Sequence, residues 1–410
     1  MSVMTLPLPS RLIRCCAIAA VVAIAACAPS RRAPAPVAPP PPPPAPLAAN
    51  PLDRDLPTYL KLPGLAPGVP VRVGIILPFS ASSQGTRALA ASMMKAAELA
   101  MFDSKNRSIL LMTADEGNGG AAAAAAARKL LAQGAEVIVG PLFGASVAAV
   151  APVARDRGVP VLAFSTERRV AGDGVYLISF LPQNEVTRVI DYAAGQGNHA
   201  FAALLPQTAY GDVAGQAFNS AVAGAHAQMV DAERFAPNTA AVMAPAARIA
   251  QSGADAVLIA QGGSLLKAIA PNLAFDGASG KMRLLGTGLW DDPSLVREST
   301  LEGSWYAAPA PHADDGFAAK YRTAFNQSPA QLASLAYDAV SLVSLLAAGQ
   351  PYHRFTRDAL MDPNGFAGVS GIFRFAPDGT SERGLAVLEM QPGGPVVVSP
   401  APITFQRPSG

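Results

Sequence analysis

The segment Val71-Arg72-Val73-Gly74-Ile75-Ile76-Leu77-Pro78 decides the architecture: it is a near-continuous apolar run, closed by a proline and followed by residues at helical spacing. A strand that is apolar on both faces belongs to a sheet covered on both faces, the mark of parallel βαβ units. Working outward, residues 84–102 carry Leu89, Met93, Ala97 and Ala100 on one helical face. Residues 109–112 read as strand, 120–131 as helix, 136–139 as strand ending at Gly140-Pro141, 146–155 as helix and 159–164 as strand. The alanine run 121–127 suits a helix packed tightly on a sheet. The pattern then restarts. Strands 200–205, 228–235 and 256–260 alternate with helices 211–224, 240–251 and 265–273, and 283–286 and 305–308 add strands. Helices 314–326 and 331–348 and strands 372–375 and 385–390 close the chain. The fold class is α/β, with two mainly parallel sheets flanked by helices. Ligand positions at the C-terminal strand ends would make two lobes around a cleft.

The 410 residues suffice for two or three domains. Half are hydrophobic and 15% charged, which provides a large core and excludes general disorder. With 31 Lys plus Arg against 29 Asp plus Glu, no dense basic run exists to hold a nucleic acid.

The first 26 residues read as an address. Arg11 and Arg14 precede an apolar stretch, 15–26, too short for the roughly 20 residues of a spanning helix. That stretch ends Ile24-Ala25-Ala26-Cys27 and resembles the bacterial lipobox, which implies cleavage before Cys27 and a diacylglycerol on its thiol. The alternative is an ordinary secretory signal with an incidental cysteine. Besides Cys27 the chain has only Cys15 and Cys16, so the exported part has no disulfide to form and its core must supply the stability. Multiple acyl chains anchor durably to a membrane. Ala28 stands where some lipoproteins carry an inner-membrane retention Asp, which favours the outer membrane. Between Pro29 and Pro51 lie 11 prolines in 23 residues. Such a segment is disordered or polyproline II, an extended spacer reaching about 70 Å at about 3.1 Å per residue; a proline-motif ligand is the other reading. Residues 52–69 continue it, and the folded unit is expected to begin near Val71.

Several segments, in order, are similar to the Leu/Ile/Val-binding, type I family of periplasmic binding proteins: Val71 to Ser80; Gly134-Ala135-Glu136-Val137-Ile138-Val139-Gly140-Pro141; Val159-Pro160-Val161-Leu162-Ala163-Phe164-Ser165-Thr166; Tyr210-Gly211; Tyr337-Asp338-Ala339-Val340; and Gly368-Val369-Ser370-Gly371-Ile372-Phe373-Arg374-Phe375 before Asp378-Gly379. The resemblance covers about 71–406. It implies the two-lobed type I fold, each lobe a mainly parallel sheet flanked by helices, with crossings near Leu181, Ala308 and Arg383. Lobe 1 would be 71–182 plus 308–382 and lobe 2 183–307 plus 383–406, closing on a bound solute.

The resemblance also nominates ligand contacts: Ser80, Phe143, Ser146, Ser165, Thr166, Tyr210, Gln261 and Trp290. Ser146 offers the one hydroxyl in Leu142-Phe143-Gly144-Ala145-Ser146 and reads as a helix cap. Ser165 and Thr166 are ligand contacts or caps, and Tyr210 a ligand contact or an ordinary half-buried tyrosine. The acid that receives an α-ammonium group in amino-acid-binding members has no counterpart in Thr287-Gly288-Leu289-Trp290, and Asp291-Asp292-Pro293 reads more simply as an N-cap. The lipobox, the long spacer, the Gly140-Pro141-Leu142 wording and a depleted pocket resemble the penicillin-binding protein activators of the same family. That resemblance implies a peptidoglycan synthase as partner. The alternative is a receptor for small solutes such as branched-chain amino acids, with an ABC permease as partner.

Enzyme signatures are missing from the sequence. The four histidines, His199, His226, His312 and His353, are scattered, and neither a metal-binding pair nor a Gly-x-Ser-x-Gly elbow occurs. Gly277-Ala278-Ser279-Gly280-Lys281 lacks the phosphate-loop spacing and reads as a turn. The expectation is a binding module without cofactor or metal, tethered outside the cytoplasm.

Overall fold

Gly74 sits in the middle of the strand Val71–Leu77, and a Cβ there would come within 2.9 Å of Leu130 Cδ1. Its absence lets the alanine helix Gly120–Ala132 lie close on the sheet. The computed structural model describes residues 59–64, 70–276, 282–351 and 353–406. The expected leader, Cys27, nearly all of the Pro-rich spacer and the 277–281 turn lie outside the described residues.

The first sheet runs, in spatial order, Tyr59–Lys61, Ile109–Asp115, Val71–Leu77, Val137–Val139, Val161–Ala163 and Val175–Leu177. All neighbours are parallel except the first pair, where Tyr59 faces Met112. The folded part therefore starts before Val71, in a segment expected to be spacer. Leu60 and Leu62 explain it: both pack into the core of this lobe. One face of the sheet carries the helix Gln84–Ser104, which buries Met93, Ala97 and Met101 against Ala333–Leu346. Ser83 caps the first of these helices by accepting from the Thr86 N–H, and Lys105 ends it at φ 52°.

The second sheet runs Gly394–Ser399, Ala386–Gln391, Trp305–Ala308, Arg283–Gly286, Ala256–Ile259, Ala200–Pro206 and Gln228–Phe235, with the five strands from Trp305–Ala308 onward parallel. In each sheet the strand order reverses beside the entering strand, so a crevice opens at the C-terminal strand ends. The helix Pro182–Gly195, absent from the sequence reading, lays Val186, Val189, Ile190 and Ala193 on the second sheet.

A small antiparallel sheet, Phe366–Gly368, Gly371–Phe375 and Ser381–Arg383, stands where the chain passes between the larger two. Arg383 fastens it. Its Nε donates to the Ser179 carbonyl at 3.2 Å and its Nη1 lies 3.4 Å from Asp338 Oδ2, with both side chains 1% exposed. The guanidinium also covers the Phe180 ring at 4.6 Å. Ser381 Oγ donates to the Ser179 carbonyl and Asn184 Nδ2 to the Ser381 carbonyl. A buried ion pair contributes little net stability while intact, yet losing one partner strands the other charge. Arg383→Met is expected to lower stability in urea unfolding by about 3–5 kcal/mol. Adding Asp338→Asn, which removes the stranded charge, is expected to restore most of that loss.

Candidate functional site

Glu185 has an unusual place for a carboxyl: at i, i+4 and i+8 with Val189 and Ala193, it lies on the buried stripe of the helix Pro182–Gly195. Pro182 opens this helix at the position where a missing N–H costs nothing. Glu185 is 7% exposed and accepts one hydrogen bond, from the Gly288 N–H to Oε2 at 3.0 Å. Gly288 follows the strand Arg283–Gly286, and a Cβ there would sit 2.7 Å from Glu185 Oε1, so this glycine permits the close approach. Among the described residues no cation pairs with it, and burial pushes the Glu185 carboxyl from 4.5 up to about 7.

Tyr210 enters from the helix Ala209–Gly224. Thr208 caps that helix by accepting from the Gly211 N–H, and Gly211 packs so tightly on the Pro206 carbonyl that a Cβ would fall 1.9 Å from the oxygen. Tyr210 donates to Thr287 Oγ1 at 2.7 Å, and burial holds its hydroxyl protonated far above the ordinary tyrosine range. Glu185 and Tyr210 line a cleft of about 420 Å³. The remaining wall comes from Thr166 beyond the strand Val161–Ala163, from Phe180, from the crossing segment 308–314 with His312 and Asp314, and from Ser334, Ser370, Leu289 and Asp291. Thr166 belongs to the side of the first sheet, and Tyr210 and Gly288 to the side of the second. The volume suits a small solute held by a few placed polar groups.

The sequence-derived contacts fall into two groups. Thr166 and Tyr210 line the cleft. The other six do not. Trp290 is fully buried under it, with Nε1 donating to the Gln261 carbonyl at 2.9 Å, and Gln261 Nε2 turns to the Gly262 carbonyl. Ser165 is buried and accepts from the Glu167 N–H. Ser80 is exposed, its N–H on Asp115 Oδ1, and Phe143 is exposed outside the cavity wall. Ser146 is not the cap of its helix. It is buried inside Gly144–Arg155, and Glu116 instead accepts from the Leu142 and Phe143 N–H groups at 2.9 and 3.0 Å. A carboxylate reaching over from the end of the neighbouring strand neutralises that helix end better than a hydroxyl within it.

Beside the expectation of a depleted pocket, the structure places acids at the cleft that the sequence reading did not nominate. Thr287-Gly288-Leu289-Trp290 carries no acid, but Glu185 reaches the Gly288 amide from another element and Asp291 lines the cleft. The sequence signal was present: a Pro-initiated helix whose apolar face is interrupted by a single glutamate.

The model of the family described as periplasmic binding protein matches residues 70–395. Among solved structures, a Rhodospirillum rubrum protein described as belonging to a branched-chain amino acid ABC transporter is 20% identical with a TM-score of 0.72, over 80% of this chain and 100% of that one. An ABC transporter substrate-binding protein of Desulfitobacterium hafniense in complex with Leu is 19% identical with a TM-score of 0.60, over 80% and 99%. A solute-binding protein of R. palustris in complex with benzoate is 18% identical with a TM-score of 0.56, over 81% and 97%. At these identities the likeness is one of fold. An uncharacterized protein of Rickettsia prowazekii is 22% identical over 172 residues, 42% of this chain and 45% of that relative's length.

Between pH 4.5 and 7 the folded state keeps a proton on Glu185 that the unfolded chain has released. This carboxyl therefore makes stability fall as pH rises through that window, by about 3 kcal/mol in total, and adds no slope above it. Glu185→Gln keeps the acceptor for Gly288 and removes the titration. In urea unfolding the variant is expected to match the wild type near pH 4 and to exceed it by about 3 kcal/mol at pH 8.

Proposed function

The chain belongs to the periplasmic binding protein family, and from that premise we propose that it is a solute-binding receptor, taking one small molecule into the cleft and delivering it to an ABC permease. The observation that carries the reading is a single cavity walled by Thr166 from one lobe and Tyr210 with Glu185 from the other. A solute touching both walls favours the closed arrangement by as much as its contacts differ between open and closed. Lobes of 71–182 plus 308–382 and 183–307 plus 383–406 would rotate about the segments that meet at Arg383. Leucine and benzoate complexes of this fold show that it does not by itself set the ligand.

The role as an activator of a peptidoglycan synthase draws support from the spacer, the lipobox and the Gly140-Pro141-Leu142 wording, while the acids that line the cleft weigh against its fourth support, a depleted pocket. The receptor reading is better supported. In either role Cys27 would carry the lipid, with the outer membrane favoured, and the proline segment would hold the domain away from the bilayer. The protein would act by binding, without turnover.

Small-angle scattering of the full-length protein, with and without the dialysable metabolite fraction of bacterial cells, tests the closure. The expected result is a smaller radius of gyration with metabolites and no such change in Tyr210→Ala. An unchanged radius, together with co-purification of a synthase, would favour the activator.

A further inference from the structure

The cleft wall is one-sided in charge. Glu185, Asp291 and Asp314 line it, while among the described residues no lysine or arginine does. His312, its one imidazole, is exposed and engaged with Asp315 at 2.9 Å. Glu185 has one donor, the Gly288 N–H on Oε2, and among the described residues its Oε1 accepts no hydrogen bond although the side chain is 7% exposed. Glu185 lines the cleft, where an arriving donor can complete the carboxyl.

An anionic solute would need positive groups to offset these three acids, and several of the nearby helix ends are already taken. The helix Gly144–Arg155 points its N-terminus toward the strand ends of the first lobe, but Glu116 holds the Leu142 and Phe143 N–H groups there. The Glu167 carboxylate packs on Gly144 so closely that a Cβ would meet it at 2.3–2.7 Å. The helix Ala209–Gly224 carries Thr208 as cap and Asp212 in its first turn, and Pro182–Gly195 has a proline at its start and Glu185 in its first turn. The first two of these helix ends are thus occupied by oxygens of the chain itself and the third starts on a residue without an N–H, while the helix Ala333–Leu346, whose Ser334 lines the cleft, has no side-chain cap.

We propose that the solute carries a cationic nitrogen, as an amine or guanidine, and no carboxylate, with Glu185 as its buried counter-charge and Asp291 and Asp314 attracting it at the rim. This rests on the reading of the cleft as a solute site and adds the ligand's chemical class. The Tyr210 hydroxyl, committed as donor to Thr287, leaves its lone pairs as further acceptors for a donor-rich ligand.

Calorimetry and thermal shift of the full-length protein at pH 8 test the class with defined probes: putrescine, agmatine and 3-methylbutylamine as cations, 4-methylpentanoate and benzoate as anions, and leucine as the zwitterion. At least one cation is expected to bind about tenfold or more tightly than either anion, in line with a charge-assisted hydrogen bond. Glu185→Gln is expected to weaken that cation by about tenfold to a hundredfold. Should Glu185→Gln not fold, Asp291→Asn serves in its place, with a loss of about threefold from an exposed charge. Preference for an anion or for leucine would overturn the cationic class while leaving the solute site intact. Silence toward all six probes, with no effect of cell metabolites on the radius of gyration, would overturn both.

Discussion

Arg383 holds together the place where the chain passes between its two sheets. One guanidinium contacts the carbonyl of Ser179 on the outgoing segment, the carboxylate of Asp338 on a helix of the first lobe, and the ring of Phe180. It stands one step before the strand that returns to the second sheet. Because the pair is almost fully buried, its geometry is over-determined by the packing around it. The cleft depends on this knot: Phe180, Glu185, the 308–314 segment and Ser370 all reach the cavity from residues adjoining the crossings. A fastening at the crossings suits a hinge motion in which the lobes move and the pivot does not.

The alternation of apolar strands with alanine-rich helices was legible because both sheets are covered on both faces, which leaves near-continuous apolar runs in the sequence. The strands at 71, 109, 200 and 228 fall where periodicity alone places them. What escaped notice was short or mixed. The edge strand Tyr59–Lys61 follows a proline-rich stretch and is only three residues long, so its pairing is decided by tertiary contact. The helix Pro182–Gly195 was hidden by its polar first turn, Gln183-Asn184-Glu185, which is the part that serves the cleft. Of the site, Thr166 and Tyr210 are the two contacts nominated by the family resemblance that line the cleft. Glu185 could not be placed by strand logic, since it reaches the Gly288 amide from 103 residues away in sequence.

Glu185 also joins stability to function. A buried carboxyl without a counter-ion costs stability at neutral pH, and a chain selected for stability alone would carry glutamine or an aliphatic residue there. The carboxyl fits a structure in which the missing partner is supplied from outside. Glu116 acts in the same direction at the start of the helix Gly144–Arg155, where it offsets positive potential. The fold thus provides the cleft, and a handful of carboxylates determines what it accepts.

Hydrogen–deuterium exchange, read by mass spectrometry on the full-length protein with and without the dialysable metabolite fraction, tests the central claim of a solute closing two lobes on a fixed pivot. The account predicts slower exchange at 180–186, 209–212, 287–291 and 308–314, and unchanged, already slow exchange around Asp338 and Arg383. Protection spread over the outer helices, or none in the cleft segments, would contradict it.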